Sequence, residues 1–450
     1  MSYHPGRRIY RREMTRRDFL WLASLAAAAP VLPALSGCAA DPVTGRSTLV
    51  GFSERDEVEL DRKAAPKQFS ADYGAVQDDA LNAYVNSVER SLGSRSHRPV
   101  MPYSARVVNA NYINAYTFPG GSMAATRGIL LEMQNEDELA ALLGHETGHV
   151  NARHAAEQAG KTMVSQAAVG IAGLAAAATG YGDAVPLVNL AGQVGASALL
   201  ASYSRDDERE ADALGMEYMS RAGYNPDGMV RLMEMLRGES KEQPGLLQTM
   251  FSTHPMSDER YATARREAEG RYAGQRGKPL ARERYMDSTA RLRALKPSIE
   301  EQQKAETLMA KKDLPQADGH LASALRLAPD DYAGLVIMGK CQIAQKRYPE
   351  ADRYLSRAVQ VYPAEGQAQY LAGLSKLALK QPEQALARFE AYDRLLPGNA
   401  NTLFFRGVAY ESMQNKRAAG EQYARYVRSG AQNQQAQYAA KRLQEWGMAK

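Results

Sequence analysis

From residue 301 onward the chain repeats itself, and the period constrains its fold more tightly than any composition value. Ala317, Ala351, Ala385 and Ala419 recur every 34 residues, in step with Gly339, Gly373 and Gly407 and with Pro329, Pro363 and Pro397. Small residues at fixed positions let paired helices approach closely, and a proline closes each unit because it cannot continue a helix. Such a helix pair leaves an apolar face that only a neighbouring pair can cover, so the units must stack into an all-α solenoid. Residues 301–450 hold about four of them, the first and last imperfect.

A second signal lies in Gly144-His145-Glu146-Thr147-Gly148-His149. On a helix, side chains four apart share a face, so His145 and His149 can offer ring nitrogens to one metal ion. Glu146 points about 100° around from His145, close enough to deprotonate a water held at that metal. Asn135 is a candidate N-cap, and Glu136, Asp137 and Glu138 suit the positive end of a helix dipole. Leu139, Leu142 and Leu143 carry the apolar stripe into the histidines.

Two histidines leave a catalytic zinc one protein ligand short. Downstream, Ser204-Arg205-Asp206-Asp207-Glu208-Arg209-Glu210-Ala211-Asp212 offers carboxylates on a helix-prone run. Glu208 suits the third ligand position, with Asp212 on the same face to orient a ligand imidazole. Glu210 competes for that place on spacing alone.

His-Glu-x-x-His at 145–149 followed by Glu208-x-x-x-Asp212 resembles the CAAX-prenyl-endopeptidase family of zinc metallopeptidases, and among them the bacterial envelope members associated with β-barrel assembly. Asn114-Ala115-Tyr116-Thr117-Phe118-Pro119-Gly120-Gly121 and Thr253-His254-Pro255 are similar to further stretches of that family. The resemblance covers about residues 40–270. It implies one Zn²⁺ on His145, His149 and Glu208, with Glu146 as general base. It also implies that His254 occupies the open zinc position as a removable ligand; stabilising the oxyanion is the alternative. Thr147 departs from the pattern, standing where relatives carry a bulky aliphatic residue.

Residues 105–109 and 113–118 read as short strands, with Asn109-Ala110-Asn111 as the turn between them. An exposed edge at Asn114, Ala115 and Tyr116 would hold an extended substrate through main-chain bonds, and Gly120 and Gly121 suit a tight turn or close backbone approach. His154 reads as a packing or hydrogen-bonding residue.

Thr15-Arg16-Arg17-Asp18 before an apolar run predicts twin-arginine export, and Leu35-Ser36-Gly37-Cys38 resembles a bacterial lipobox, with Cys38 lipidated. Cys341 is the one other cysteine, so no structural disulfide is expected. Residues 1–37 hold six arginines and two acidic residues, leaving 50 basic against 49 acidic residues in the remainder. That balance offers no ground for a nucleic-acid partner.

The expected layout is a signal peptide over 1–37, a metallopeptidase domain over 38–270, a helical connector over 271–300 and a tetratricopeptide (TPR) domain over 301–450. The fold class is α+β: a mostly helical zincin-type domain with a small sheet, then an all-α solenoid. A low-charge stretch at 167–200 reads as buried helices or an amphipathic lid. The expected function is a zinc endopeptidase of the bacterial envelope, anchored by lipid to the outer membrane. It would act on misfolded or stalled envelope proteins, with the repeats recruiting outer-membrane β-barrel proteins or their assembly machinery. The rival expectation is a TPR chaperone or adaptor with a silent metal site.

Overall fold

The structure, a computed structural model, describes residues 38–45, 47–50, 53–158, 203–242 and 244–448. The expected leader and the stretch at 167–200 lie outside the described residues. Two short strands, β1 (Cys38–Ala40) and β2 (Ser47–Leu49), pair antiparallel. Helix α1 (Glu54–Ala71) starts at a reciprocal cap, in which Ser53 accepts from the Asp56 backbone while the Asp56 carboxylate accepts from the backbone of Ser53. Helix α2 (Asp79–Gly93) follows, then β3 (Ser104–Val108), β4 (Ala115–Thr117) and β5 (Ser122–Thr126).

The sheet order is β3-β5-β4, with β3 parallel and β4 antiparallel to β5. This corrects the expected hairpin between residues 105–109 and 113–118, because β5 separates the two strands. Ser122-Met-Ala-Ala-Thr126 lacks β-branched bulk, but its small residues fit a central strand, and Met123, Ala124 and Ala125 are fully buried. The expected turn residues bond elsewhere: the Asn109 amide donates to the carbonyls of Tyr73 and Ala75 at 3.1 Å, and Asn111 donates to Glu306 at 2.9 Å. The β4–β5 turn uses Gly121 at φ +93°, and a Cβ on Gly120 would lie 2.6 Å from that of Asp61.

Helix α3 (Arg127–Glu132) leads into α4 (Glu136–Asn151), capped by Asn135, whose side chain accepts from the Glu138 backbone. Every residue of α4 is buried, as befits a helix through the centre of the domain. Past the undescribed residues come α5 (Arg205–Ala222), α6 (Asp227–Glu242), α7 (Pro244–Thr253) and α8 (Asp258–Glu269). Next, α9 (Arg282–Ala294) lies in the stretch expected as a connector, yet it packs into the same core. Tyr285 and Leu292 are buried there, and the Tyr285 hydroxyl donates to the Leu130 carbonyl at 2.7 Å. Arg293 donates to the Met133 carbonyl at 2.6 Å.

Among the described residues nine further helices follow: α10 (Lys296–Ala310), α11 (Leu314–Leu327), α12 (Tyr332–Ala344), α13 (Tyr348–Val361), α14 (Gly366–Ala378), α15 (Pro382–Leu395), α16 (Ala400–Ser412), α17 (Lys416–Arg428) and α18 (Gln434–Glu445). The glycine period is steric: a Cβ on Gly339, Gly373 or Gly407 would strike Leu355, Phe389 or Tyr423 of the partner helix at 2.4–2.6 Å. The turn inside each pair places Lys312, Lys346, Lys380 or Gln414 at φ between 58° and 64°. The array is a tetratricopeptide solenoid closed by α18. Among the described residues no helix is long and apolar enough to cross a membrane.

The solenoid docks on the first domain through buried polar groups. Arg127, 1% exposed, grips Asp331 with two bonds of 2.7 and 3.1 Å and reaches Gln302 at 2.7 Å. Removing one partner of such a pair costs about 3–5 kcal/mol, because a buried charge is left alone.

Candidate metal centre

Two helices build the centre by touching backbone to backbone. Gly144 and Gly148 of α4 face Gly215 and Ala211 of α5, so no side chain holds the helices apart. Helix α5 starts at another reciprocal cap, between Ser204 and Asp207, which sets Glu208 on the first turn. His145, His149 and Glu208 thereby converge, and His254, just past α7, joins them. One donor atom from each of the four lies within 4.8 Å of all the others, and all four residues are buried.

The spacing fits a tetrahedral ion. His145 Nε2 lies 3.1 Å from His149 Nε2 and 3.3 Å from His254 Nδ1, while Glu208 Oε1 lies 3.0 Å from His254 Nδ1 and 3.3 Å from His149 Nε2. Zinc bonds of about 2.1 Å demand donor separations of about 3.4 Å. Imidazole and carboxylate donors suit that ion. Burial holds His149 well below the usual imidazole range, keeping it neutral as a ligand must be. Burial works to raise the Glu208 carboxyl, but His145, His149 and His254 outweigh it and hold it far below the usual carboxylate range.

Around these donors sits a supporting ring. His145 Nδ1 is 2.9 Å from Asp212 Oδ1. Arg260 of α8 bonds both Asp212 oxygens at 2.6 and 2.7 Å, and its Nη1 reaches the Pro255 carbonyl at 3.0 Å. Burial raises Asp212, yet Arg260 and His145 prevail and leave it ionised below its ordinary range. On the other side the chain turns at Arg153 (φ +57°), whose guanidinium bonds Glu57 at 2.8 Å. That turn brings His154 back to His149, with the two Nδ1 atoms 2.9 Å apart. Glu210 faces His154 at 3.4 Å, so Glu208 rather than Glu210 stands among the donors. The Tyr203 ring stacks on His149 at 3.9 Å.

Glu146 is buried beside the donors, 3.8 Å from His254 Nε2, and its Oε2 has no hydrogen-bond partner among the described residues. Burial raises its carboxyl pKa, with His254 and His145 opposing. Thr147 points the opposite way, donating from its hydroxyl to Glu89 at 3.0 Å. A polar pair thus replaces the aliphatic contact expected there, and burial pushes the Glu89 carboxyl well up.

A cleft of about 250 Å³ opens beside His254. Gln68, Tyr112, Asn114, Tyr116 and Thr117 line one wall; Tyr203, Thr249, Ser252 and Thr253 line the other. The expected edge strand β4 is at the sheet edge and faces this cleft, although Ala115 and Tyr116 are themselves buried. Cys38 lies in β1, remote in sequence from these groups. His154, read as a packing or hydrogen-bonding residue, bonds His149; sequence reasoning missed the anchoring role of Arg260, the ring of Tyr203 and the carboxyl of Glu89. Arg260 alone carried a signal, standing six residues after His254.

Residues 77–268 match peptidase family M48. The chain is 30% identical over 257 residues to the putative beta-barrel assembly-enhancing protease of Vibrio cholerae serotype O1, covering 55% of this chain and 51% of that protein. It is 29% identical over 198 residues to the beta-barrel assembly-enhancing protease of Escherichia coli strain K12, covering 43% and 40%. Mitochondrial metalloendopeptidase OMA1 of Schizosaccharomyces pombe is 34% identical over 181 residues, covering 39% and 50%. The chain spans about half the length of these curated relatives. With the motifs, the donor geometry and the matched span in agreement, the chain carries a peptidase family M48 domain at residues 77–268.

Proposed function

We propose that this protein is a zinc-dependent endopeptidase of the bacterial cell envelope that cleaves misfolded or stalled envelope proteins. The observation that carries this reading is the unpartnered Glu146 Oε2 buried beside four converging donors. His145, His149 and Glu208 would hold the ion, and His254 would fill the fourth position until substrate displaces it. Zinc held there would supply Lewis-acid polarisation and lower the pKa of water. Glu146 is placed to take a proton from the attacking water and pass it to the leaving amine, a task suited to a carboxylate whose pKa burial has raised. Asp212 holds the His145 ring in the tautomer that directs Nε2 to the ion. The cleft along β4 accommodates an extended peptide, with main-chain recognition placing few demands on sequence.

Export and lipidation at Cys38 rest on the leader residues and the lipobox-like Leu35-Ser36-Gly37-Cys38. Attachment to the outer membrane, and recruitment of β-barrel proteins or their assembly machinery by the repeats, rest on the relatives' names and the solenoid.

Zinc content and casein cleavage by the chain from Ala39, beside Glu146→Gln, test the reading. About one zinc per chain in both proteins, with cleavage in the parent alone, is the expected result. Equal cleavage by Glu146→Gln, or no zinc in folded protein, overturns it. Zinc without cleavage in either favours the chaperone or adaptor alternative.

A further inference from the structure

One wall of the cleft depends on a carboxylate that does not itself face it. Asp72 caps the C-terminus of α1, is 5% exposed, and gathers three of the five described residues on that wall. The Tyr112 hydroxyl donates to Oδ1 at 2.8 Å, the Tyr116 hydroxyl to Oδ2 at 2.5 Å, and the Gln68 amide to Oδ2 at 3.1 Å. Without that acceptor two tyrosine hydroxyls and an amide lose their common anchor, and the rings can turn into the cleft. Asn114 on the same wall, 3% exposed, leaves its Oδ1 without a partner among the described residues, an acceptor suited to a substrate backbone N–H.

The turn that carries Asp72 is held from two sides: Asn109 of its own domain donates to the Tyr73 carbonyl, and the repeats grip its side chains. Tyr73 takes φ +65° and buries its ring among Ala305, Tyr332 and Val336 of the solenoid. Its hydroxyl donates to Glu306 at 3.1 Å and accepts from Lys340 at 3.3 Å. Ser70 donates to Glu365, and Gln367 donates to the carbonyls of Ser70 and Ala71 at 3.1 and 3.2 Å. Helices α10, α12 and α14 therefore grip the residues on both sides of Asp72. We propose that Asp72 is a positioning residue for substrate, through which the TPR helices set the shape of the peptidase cleft. The inference rests on the cleavage activity proposed above, and extends it to how substrate affinity is controlled.

The test uses the chain from Ala39 and a fluorescein-labelled unstructured casein peptide, with Asp72→Asn, Tyr112→Phe and Glu306→Gln made singly and Asp72→Asn with Glu306→Gln as a pair. KM should rise about fivefold or more in Asp72→Asn, with kcat and zinc content within about twofold of the parent. Tyr112→Phe and Glu306→Gln, milder changes less prone to misfolding, should shift KM in the same direction. The paired variant should show less than the product of the single effects. Peptide anisotropy in a Glu146→Gln background reads the same loss of affinity without cleavage, so an inactive parent would sink the proposed activity and leave this measurement standing. Unchanged affinity in Asp72→Asn and Tyr112→Phe, effects confined to kcat or zinc, strict multiplicativity of the pair, or no peptide binding by the Glu146→Gln parent would each overturn the inference.

Discussion

Gly148 and Ala211 meet backbone to backbone: a Cβ on Gly148 would lie 2.8 Å from the Ala211 carbonyl oxygen. This contact sets the distance between the helix that bears the two histidines and the helix that bears Glu208. Gly148→Ala should push α4 and α5 apart, lowering stability by about 1–3 kcal/mol and weakening zinc affinity. Gly238→Ala, on α6 with open space around it, is the control and should be neutral or stabilising. Thermal melts and chelator competition on both variants decide the matter; equal behaviour would deny the close contact its role.

Arg260 holds Asp212 by both carboxylate oxygens and the His254 loop by the Pro255 carbonyl. Arg260→Ala should leave Asp212 with His145 as its remaining partner and strip Glu208 of the guanidinium 2.6 Å away, so the Asp212 pKa rises and the orientation of His145 loosens. Zinc affinity should fall about 10–100-fold, as is usual when a ligand's supporting bond is lost. Arg260→Lys restores charge but not the two-pronged geometry, and should recover only part of that loss. Parent-like zinc affinity in Arg260→Ala would refute the role.

His254→Ala removes one of four converging donors while leaving His145, His149 and Glu208 in place. If His254 is the removable ligand, the variant should retain zinc and cleave casein severalfold faster than the parent. Slower cleavage with zinc retained would instead support the oxyanion alternative, and no change in either quantity would refute both.

Glu365 is buried under Ser70 and Tyr332, and burial raises its carboxyl pKa although both hydroxyls oppose the shift. An acid whose folded pKa is raised costs stability at neutral pH. That cost disappears as pH falls through the folded pKa toward the ordinary carboxyl value of 4.5. Glu365→Gln should therefore flatten the rise in stability between neutral pH and about 4.5. Melting temperatures of parent and variant across this range provide the check, and parallel curves would contradict the prediction.

Much of this protein was legible from residue spacing. The 34-residue recurrence of Ala317, Gly339 and Pro329 became helix pairs because the recurrence itself records a steric demand, glycine beneath Leu355, Phe389 or Tyr423. The pairing of His145 with His149 was equally local, since helical geometry alone sets neighbours four apart. Asn135 capped α4 as its side chain and position required.

Tertiary structure decided what lies beyond the range of any helix or turn. Glu208 and Glu210 are equivalent as a spacing, and only the packing of α5 on α4 sent one to the donors and the other to His154. The strands at 104–108 and 115–117 do not pair because Ser122–Thr126, a poor strand former by composition, gains more from burial between them than propensity costs it. Arg260, Asp72 and the repeat residues that grip its turn meet their partners only when segments up to 297 residues apart are brought together. Local sequence determines elements through backbone geometry; the site and its cleft are set by long-range contacts whose partners no short-range pattern encodes.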